Sequence, residues 1–231
     1  MLLSKPQIER HMADGNITID PFVPENLGSA QMDVTLGQFF YREMDLDLYS
    51  SSFPSLYNPY DEKHVCARFY LDRAVRHSDW VARGNAPLIG VAPEEELIVI
   101  QPGEMVLAHT QEFIGSLSNH ITTQMKARSS IGRNFLTVCA CAGQGDVGFA
   151  QRWTFEIHNR NRMAAIPLIV GRRIAQILFF DVEPVDASDV YGVTGKYQNG
   201  TTLEQLKTSW RPEMMLPRMF ADRESRRARG E

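Results

Sequence analysis

The sequence contains only three cysteines (Cys66, Cys139 and Cys141) and no long apolar run. An odd, sparse set of cysteines is not a disulfide framework and is typical of the reducing cytoplasm, which is where we expect this chain. No segment reaches the roughly 18 consecutive apolar residues that a membrane span requires. The opening MLLSKPQIER lacks the apolar core of a signal peptide, so we expect no membrane partner.

A strongly basic composition is also missing, because the formal net charge is −4. Non-specific nucleic-acid binding depends on an excess of Lys and Arg, so nucleic acid is not an expected partner. A ligand with a large negative charge would have to bind at a local cluster of basic side chains.

The signature of zinc-dependent deaminases is absent as well. Those enzymes combine an H-x-E motif with P-C-x-x-C, and none of the six histidines has Glu two residues later. Cys139 and Cys141 form C-x-C on a predicted strand, where both side chains would point to one face. Because structural zinc normally takes four ligands, we interpret this pair as core or pocket-wall residues and expect no bound metal of the protein's own.

The patterns that are present indicate a mainly β protein. A first helix is predicted after Ser4, with Pro6 in its first turn and Gly15 at its end. Short alternating segments separated by turns then predict many strands. They are ITIDPF, QMDVTLGQFFYRE, ELIVI, MVLAHTQEFI, HITTQMKA, FLTVCACA, RWTFEIHN, AIPLIV and AQILFFDVE.

Three regions are distinguished by composition. Residues 1–200 are predicted to form a single domain, with an enlarged, aromatic-rich insertion over about residues 44–93. So many aromatic side chains favour packing on the domain or on a neighbouring subunit, with a short helix near Phe69 to Ser78. Residues 201–231 are predicted to be a partly helical C-terminal extension, with a helix at TLEQLKTSW and a frayed, charged end at DRESRRARGE.

The segment KARSSIGRNFLTVCACAGQGDVGFAQRWTFEIHN (Lys126 to Asn159) resembles the central motif of the dCTP deaminases. The opening MLLSKPQIERHMADGNITIDPF, the segments QPGEMVLAHTQEF and VGRRIAQILFF, and the late motif GKYQ resemble the family in the same order. The resemblance implies a distorted jelly-roll β-barrel of the dUTPase-like fold with a few short helices. It also implies a homotrimer with active sites between subunits, and zinc-independent hydrolysis of dCTP to dUTP and ammonia.

The resemblance assigns the catalytic role of general acid and base to Glu156. Alternation along WTFEIHN places Trp153, Phe155 and Ile157 on one strand face and Glu156 on the other. Without the resemblance, Glu156 would be read as a solvated strand residue. The resemblance further implies that the backbone carbonyl of Ala142 and the side chains of Ser129 and Arg133 help to activate the attacking water.

Basic and hydroxyl side chains near this motif are candidates for binding the triphosphate. A serine pair at the start of a short helix offers hydroxyl and free N–H groups to an anion, and arginines pair with phosphate oxygens. The alternative is a capped helix with surface arginines. The resemblance implies the substrate-binding residues Lys126, Arg128, Ser129, Ser130, Arg133 and Lys196. Mg²⁺ is expected to arrive on the triphosphate and to keep several waters.

The hairpin from Ala142 to Phe149 is the candidate site for the base and sugar. Its glycines permit close approach of the backbone to a ligand. By resemblance, Asp146 hydrogen-bonds the 3′-hydroxyl and Phe149 covers the sugar where a 2′-hydroxyl would lie. The alternative is an ordinary tight hairpin with a buried Phe. Tyr197 and Gln198 are further candidates for contacts with substrate or a neighbouring subunit.

Three functions stay open at this point. Besides dCTP deamination to dUTP, a bifunctional relative could hydrolyse dUTP further to dUMP and pyrophosphate, and Asp146 with Glu156 would suit either. A non-catalytic trimer that binds nucleotides or regulates a partner is the third, since fold does not fix function. A modified dCTP as the substrate is compatible with the sequence but is not indicated by any residue.

Overall fold

A computed structural model of the protein describes residues 1–44 and 56–230, and within these residues the chain is mainly β. The strands are β1 (Ile17–Asp20), β2 (Met32–Glu43), β3 (Phe69–Arg73), β4 (Val75–Arg76), β5 (Glu96–Ile100), β6 (Met105–Ser116), β7 (Ile121–Ala127), β8 (Leu136–Thr137), β9 (Gln144–Gly145), β10 (Ala150–Asn159), β11 (Ile166–Ile169) and β12 (Arg173–Asp181). The helices are α1 (Lys5–Ala13), α2 (Glu62–Arg68), α3 (His77–Ala82), α4 (Ser129–Arg133), α5 (Tyr191–Thr194), α6 (Leu203–Ser209) and α7 (Arg223–Ala228).

Nine strands form one curled antiparallel sheet. Its main path runs β8-β10-β6-β2-β12-β7-β9, with β1 added beside β6 and β3 beside β2. A smaller sheet, β11-β5-β4, also contributes to the main core through Ile98 and Ile100. The fully buried side chains of this core include Phe40, Phe155 and Phe179 from three different strands of the large sheet. This arrangement confirms the predicted mainly β class.

The predicted first helix and most predicted strands are found where the sequence placed them. Ser4 is the N-cap of α1, and its N–H donates to Oε1 of Gln7 at 2.9 Å. Gly15 follows the helix with a φ of 76°, in the left-handed region that favours glycine. On β10, Trp153, Phe155 and Ile157 are buried and the alternate residues are half-buried, which confirms the predicted alternation of this strand.

Two predicted elements were wrong. The helix predicted near Phe69 to Ser78 is largely strand. Phe69–Arg73 forms an antiparallel pair with β2, so its partner strand is distant in sequence and local pattern does not reveal it. The helices lie on either side, as α2 and α3. The strand predicted from FLTVCACA is reduced to Leu136–Thr137, which pairs with the end of β10. Cys139 and Cys141 lie in the irregular segment that follows.

The C-terminal residues are folded onto the outer face of the large sheet. Leu206, Trp210 and Met214 form one cluster with Phe113 of β6 and Ala150 of β10. Where a frayed end was predicted, Arg223–Ala228 is helical, with the neighbouring Asp222 at its N-cap position. The extension is therefore a packed part of the fold.

The same extension joins the insertion to the sheet. Met215 and Leu216 pack with Tyr41 of β2, Leu107 of β6 and Val65 of α2. Tyr57 and Phe69 of the insertion also pack against this cluster, as the aromatic composition of the region predicts. Tyr49 and Phe53, two other aromatic residues of the insertion, lie outside the described residues.

Trp210 is the largest side chain that the extension buries on the sheet, with 8% of its surface exposed. We predict that Trp210→Ala lowers the free energy of unfolding by about 3 kcal/mol, because it removes a large ring from a packed site. Denaturant unfolding followed by circular dichroism measures the change. Trp80→Ala, which removes a ring of the same size from a half-buried position on α3, is the matched control and is expected to cost less. Equal losses in the two variants would contradict the packing role of Trp210.

Candidate active site

A cavity of about 370 Å³ lies beside the first half of β10. Its wall combines residues from β10 itself, the hairpin that precedes it, and the chain beyond residue 190. Five of the residues singled out from the sequence border it. They are Ala142, Asp146, Phe149, Glu156 and Tyr197.

Glu156 reaches this cavity because of its place in the sheet. Its N–H donates to the carbonyl of Val138 at 2.8 Å, and its Cα partner across the ladder is Leu107 of β6. Directly opposed residues of an antiparallel pair share one face, so Glu156 and Leu107 lie side by side on the outer face. Glu156 is half-buried there, since Leu107 in turn packs with Met215 of the extension.

The hairpin before β10 supplies the opposite part of the wall. Gly148 has a φ of 83°, and the N–H of Phe149 donates to the carbonyl of Asp146 at 3.0 Å, so the turn is tight. Phe149 makes edge-on contacts with Trp153 and with Tyr191, each with ring centroids 5.1 Å apart. The hairpin therefore presents Asp146 beside an aromatic cluster.

Two members of that cluster were missed by sequence reasoning. Trp153 was assigned to the core face, and its indole N–H does donate to the carbonyl of Ile114 at 2.9 Å, yet it also borders the cavity. Tyr191 lies just before GKYQ and accepts a hydrogen bond from the N–H of Tyr197 at 3.3 Å. Burial raises the pKa of Tyr191, so its phenol stays protonated at neutral pH. Its nearness to GKYQ was the only signal available.

The C-terminal extension closes one side of the cavity with Trp210, Met214, Met215 and Pro217. The guanidinium of Arg152 lies 4.6 Å from the Trp210 ring and 4.8 Å from the Phe113 ring, so it is held between two aromatic faces. Arg152 also donates from Nε to the carbonyl of Gln111 at 3.2 Å. These contacts fix Arg152, a residue that sequence reasoning also missed, in the wall beside Glu156.

A buried histidine supports the other side of Trp210. The rings of His109 and Trp210 are 4.7 Å apart, and His109 is 2% exposed. Its Nδ1 lies 2.8 Å from the carbonyl of Thr110, which can only accept, and its Nε2 accepts from the N–H of Phe39 at 3.3 Å. Acceptance at Nε2 requires the neutral ring, and donation from Nδ1 to Thr110 places its one proton on Nδ1. Burial, with a smaller contribution from the nearby Arg152, lowers the pKa of His109 to about 4, although the Thr110 hydrogen bond acts in the opposite direction.

The candidate phosphate ligands of α4 lie elsewhere on the chain. Ser129, Ser130 and Arg133 are exposed, and none of them borders the cavity among the described residues. Arg128 contacts Asp33 (Nε to Oδ2, 3.3 Å) and the carbonyl of Arg173 (3.3 Å from Nη1). Lys126 is exposed on β7. One chain therefore brings together the candidates for the base and sugar but not the α4 group.

A second cavity, of about 540 Å³, borders Arg128 together with Arg172 and Arg173. Arg128 and Arg173 both pair with Asp33, so the two guanidinium groups share one carboxylate. Glu112 also borders this cavity, and burial raises its pKa. Arg172 in turn pairs with Glu95 (Nη2 to Oε2, 2.9 Å), so each of these three arginines already has a carboxylate partner in its own chain.

The residues of GKYQ are held by the rest of the chain. Lys196 forms an ion pair with Asp222 of the extension and donates to the carbonyl of Arg218 at 3.3 Å. The amide of Gln198 is buried, accepting from the N–H of Ala150 at 2.9 Å and donating to the carbonyl of Gly200 at 3.0 Å. The Tyr197 hydroxyl accepts from the N–H of Arg218 at 3.0 Å. Only Tyr197 of the three borders the cavity.

Within residues 1–44 and 56–230, no group of three or more His, Cys, Asp or Glu side chains could hold a metal ion. The three cysteines are free thiols, and burial raises the pKa of Cys139, with the nearby Glu156 carboxylate acting in the same direction. No helix in this part of the chain is long and apolar enough to cross a membrane.

Comparison with known proteins gives consistent matches. Residues 66–182 match a family model described as dCTP deaminase-like. A "dCTP deaminase, dUMP-forming" of Tropheryma whipplei (strain Twist) is 32% identical over 194 residues, covering 83% of each chain. A protein of the same description from Bifidobacterium adolescentis is 30% identical over 202 residues, covering 87% of this chain and 90% of the relative.

A solved structure shares the fold. The crystal structure of 2′-deoxycytidine 5′-triphosphate deaminase from Agrobacterium tumefaciens aligns with a TM-score of 0.51 and 16% identity. The alignment covers 79% of this chain and 48% of that one, so this chain matches about half the length of that protein. At this identity the likeness concerns the fold alone, and it confirms the distorted β-barrel predicted from the sequence.

The neutral state of His109 gives a pH-dependent stability. Above the ordinary pKa of 6.5 the ring is neutral in both the folded and the unfolded chain, and its contribution to stability is complete. As the pH falls from 6.5 to about 4, the unfolded chain binds a proton that the folded chain does not, so stability is lost. We predict a loss of about 3 kcal/mol from this group over that interval.

Denaturant unfolding at several pH values between 7 and 4 measures this loss. His109→Gln should be less stable than the wild type at pH 7, because it loses the stacked ring, but its stability should change less between pH 6.5 and 4. The same pH dependence in both proteins would show that His109 does not titrate in this way.

Proposed function

The chain belongs to the dCTP deaminase-like family, and we propose that it hydrolyses dCTP at C4 with release of ammonia. The observation that carries this proposal is the position of Glu156, which borders one cavity together with Ala142, Asp146 and Phe149. In an isolated sheet, Glu156 would lie on a solvated face. The packing of Met215 on Leu107 instead leaves this carboxyl group half-buried at a cavity large enough to admit a ligand.

A single carboxyl group can carry all the proton transfers of this reaction. Glu156 takes a proton from the attacking water and gives it to N3 of the ring, while the water oxygen bonds to C4. It then transfers the second proton of that oxygen to the amino group, which leaves as ammonia while the C4 carbonyl forms. This scheme requires no metal of the protein's own. Ala142 borders the same cavity, and its backbone carbonyl is the group that we propose contacts the reacting end.

The remaining candidates are proposed to come from a neighbouring subunit. Ser129, Ser130 and Arg133 are exposed on α4 and lie apart from the cavity of their own chain. A homotrimer with sites between subunits would bring α4 of one copy to the cavity of the next. Arg128, Lys126 and Lys196 would then meet the triphosphate, and Ser129 and Arg133 would orient the water. Mg²⁺ is part of the substrate in this proposal.

For the final product we propose dUMP and pyrophosphate, the second of the alternatives that the sequence left open. The relatives described above are named as dUMP-forming enzymes, which favours this alternative over dUTP. Asp146 borders the same cavity as Glu156, so one site has two carboxyl groups for two hydrolytic steps. The second step adds water to dUTP and releases dUMP and pyrophosphate.

Replacement of Glu156 tests the proposed chemistry. We predict that Glu156→Gln lowers kcat for ammonia release from Mg·dCTP by about 10²- to 10⁴-fold, because the amide cannot relay protons. Binding of dCTP, measured by isothermal titration calorimetry, should persist. Glu94→Gln, at an exposed position away from the cavity, is the matched control and should keep full activity. A wild-type protein that binds dCTP and releases no ammonia would instead support the non-catalytic alternative.

Product analysis separates the two reactions. Wild-type protein is incubated with Mg·dCTP, and nucleotides are resolved by ion-exchange chromatography at early and late times. We predict equal amounts of ammonia, dUMP and pyrophosphate, with little free dUTP. Accumulation of dUTP as the final product would restore the simpler deaminase. A zinc chelator added with excess Mg²⁺ should leave the rate unchanged, and a loss that only zinc restores would refute the metal-free scheme.

A further inference from the structure

Gln151 is a polar residue at the cavity to which the mechanism above gives no role. It is the second residue of β10, its Cα partner is Ile114 of β6, and only 2% of its surface is exposed. It borders the cavity, as do Phe149 and Trp153. A glutamine is seldom buried to this degree unless its amide is satisfied.

Half of this amide lacks a partner. Its Oε1 accepts from the N–H of Arg152 at 3.1 Å. The buried Nε2 has no hydrogen-bond partner among residues 1–44 and 56–230. Because a backbone N–H can only donate, the atom that faces Arg152 is the oxygen, and the unpaired group is the NH₂ donor. Leaving a buried donor unpaired lowers the stability of the fold. An unpaired NH₂ group beside a cavity therefore indicates that a bound ligand supplies its acceptor.

The surroundings define the kind of acceptor. Phe149, Trp153 and Tyr191 form an aromatic wall on this side of the cavity. Arg152, the basic residue nearest in sequence, is already held between Phe113 and Trp210. A phosphate would lose its hydration beside these aromatic rings and meet a neutral amide donor, whereas an uncharged nucleoside oxygen fits that donor. Nε2 is shielded from bulk water, so the ligand itself must displace the covering side chains.

We propose that Gln151 is a specificity residue, whose Nε2 donates a hydrogen bond to an uncharged oxygen of the nucleoside, either the C2 carbonyl or the 3′-hydroxyl. This inference rests on the proposed function, because it takes the nucleoside of dCTP as the occupant of the cavity. It assigns substrate recognition to Gln151, while Glu156 keeps the proton transfers. A site built to donate a hydrogen bond discriminates against analogues that lack the acceptor.

The test combines a variant with substrate analogues. Gln151→Met keeps the length of the side chain and removes the donor, and Gln38→Met on β2 is the matched control. Ammonia release is measured with dCTP, 2-thio-dCTP and 2′,3′-dideoxy-CTP. We expect Gln151→Met to lower kcat/KM for dCTP about tenfold, and Gln38→Met to leave it unchanged.

The analogues identify the oxygen. The analogue that weakens the acceptor used by Gln151 should lower kcat/KM about tenfold more in the wild type than in Gln151→Met. A 2-thio effect that vanishes in the variant assigns the C2 carbonyl. A dideoxy effect that is about tenfold smaller in the variant assigns the 3′-hydroxyl, because any contact of that hydroxyl with Asp146 is lost equally in both proteins. The proposal would be overturned if Gln151→Met had the same kcat/KM for dCTP as the wild type. It would also be overturned if both analogues lowered kcat/KM as much in the variant as in the wild type.

Two further measurements keep the outcome decisive. If Gln151→Met unfolds, Gln151→Glu, which retains an acceptor toward the Arg152 N–H and lacks the donor, takes its place in the same assay. If the wild type releases no ammonia from dCTP, the proposed reaction fails, and calorimetry of dCTP binding still tests the contact. A tenfold weaker Kd in the variant would then support the role of Gln151 in binding, and an unchanged Kd would reject it.

Discussion

The position of Trp210 between His109 and Arg152 determines the shape of the cavity. These two residues belong to neighbouring strands of the large sheet, and both lie on its outer face, the face that carries Glu156. Trp210 covers that face and brings Met214, Met215 and Pro217 into the cavity wall. Without this contact the outer face of β10 would be open to solvent, and a carboxyl group there would be an ordinary hydrated one.

The His109 ring that contacts Trp210 also restricts which residue can stand at position 37 of β2. His109 lies so close to Gly37 of β2 that a Cβ at this glycine would be 2.0 Å from Cε1 of the ring. Glycine is therefore required at position 37 by the approach of a side chain and not by a turn. The N–H of Phe39 donates a hydrogen bond to Nε2 of His109. The Phe39 side chain packs against both apolar clusters through which the extension contacts the sheet. The C-terminal extension, β2 and β6 thus stabilise one another around an uncharged histidine.

The parts of the fold and site that could be predicted from the sequence depend on local pattern. Alternation along β10 is a local property, and it correctly placed Glu156 opposite the core face. The glycine-rich turn before β10 likewise identified Asp146 and Phe149 as neighbours. Trp210 and Tyr191 were missed because they reach the cavity from segments distant from β10 in sequence. Gln151, Arg152 and Trp153 were missed although they lie on β10, because the alternation of one strand does not show what packs against it. The misassigned helix near Phe69 has the same cause, because its residues form a strand only against β2.

The distribution of charge explains why one chain holds only part of the predicted site. The cavity is walled largely by aromatic and apolar side chains, and Arg152, which also borders it, is held between two rings. Lys126 and Arg133 are instead exposed, where cations remain hydrated until an anion arrives. Desolvating a triphosphate inside such a cavity would cost far more than desolvating a pyrimidine or a sugar. A nucleotide that placed its neutral part in the cavity would therefore extend its phosphates outward, and a neighbouring copy is our proposed source of the basic groups that would meet them.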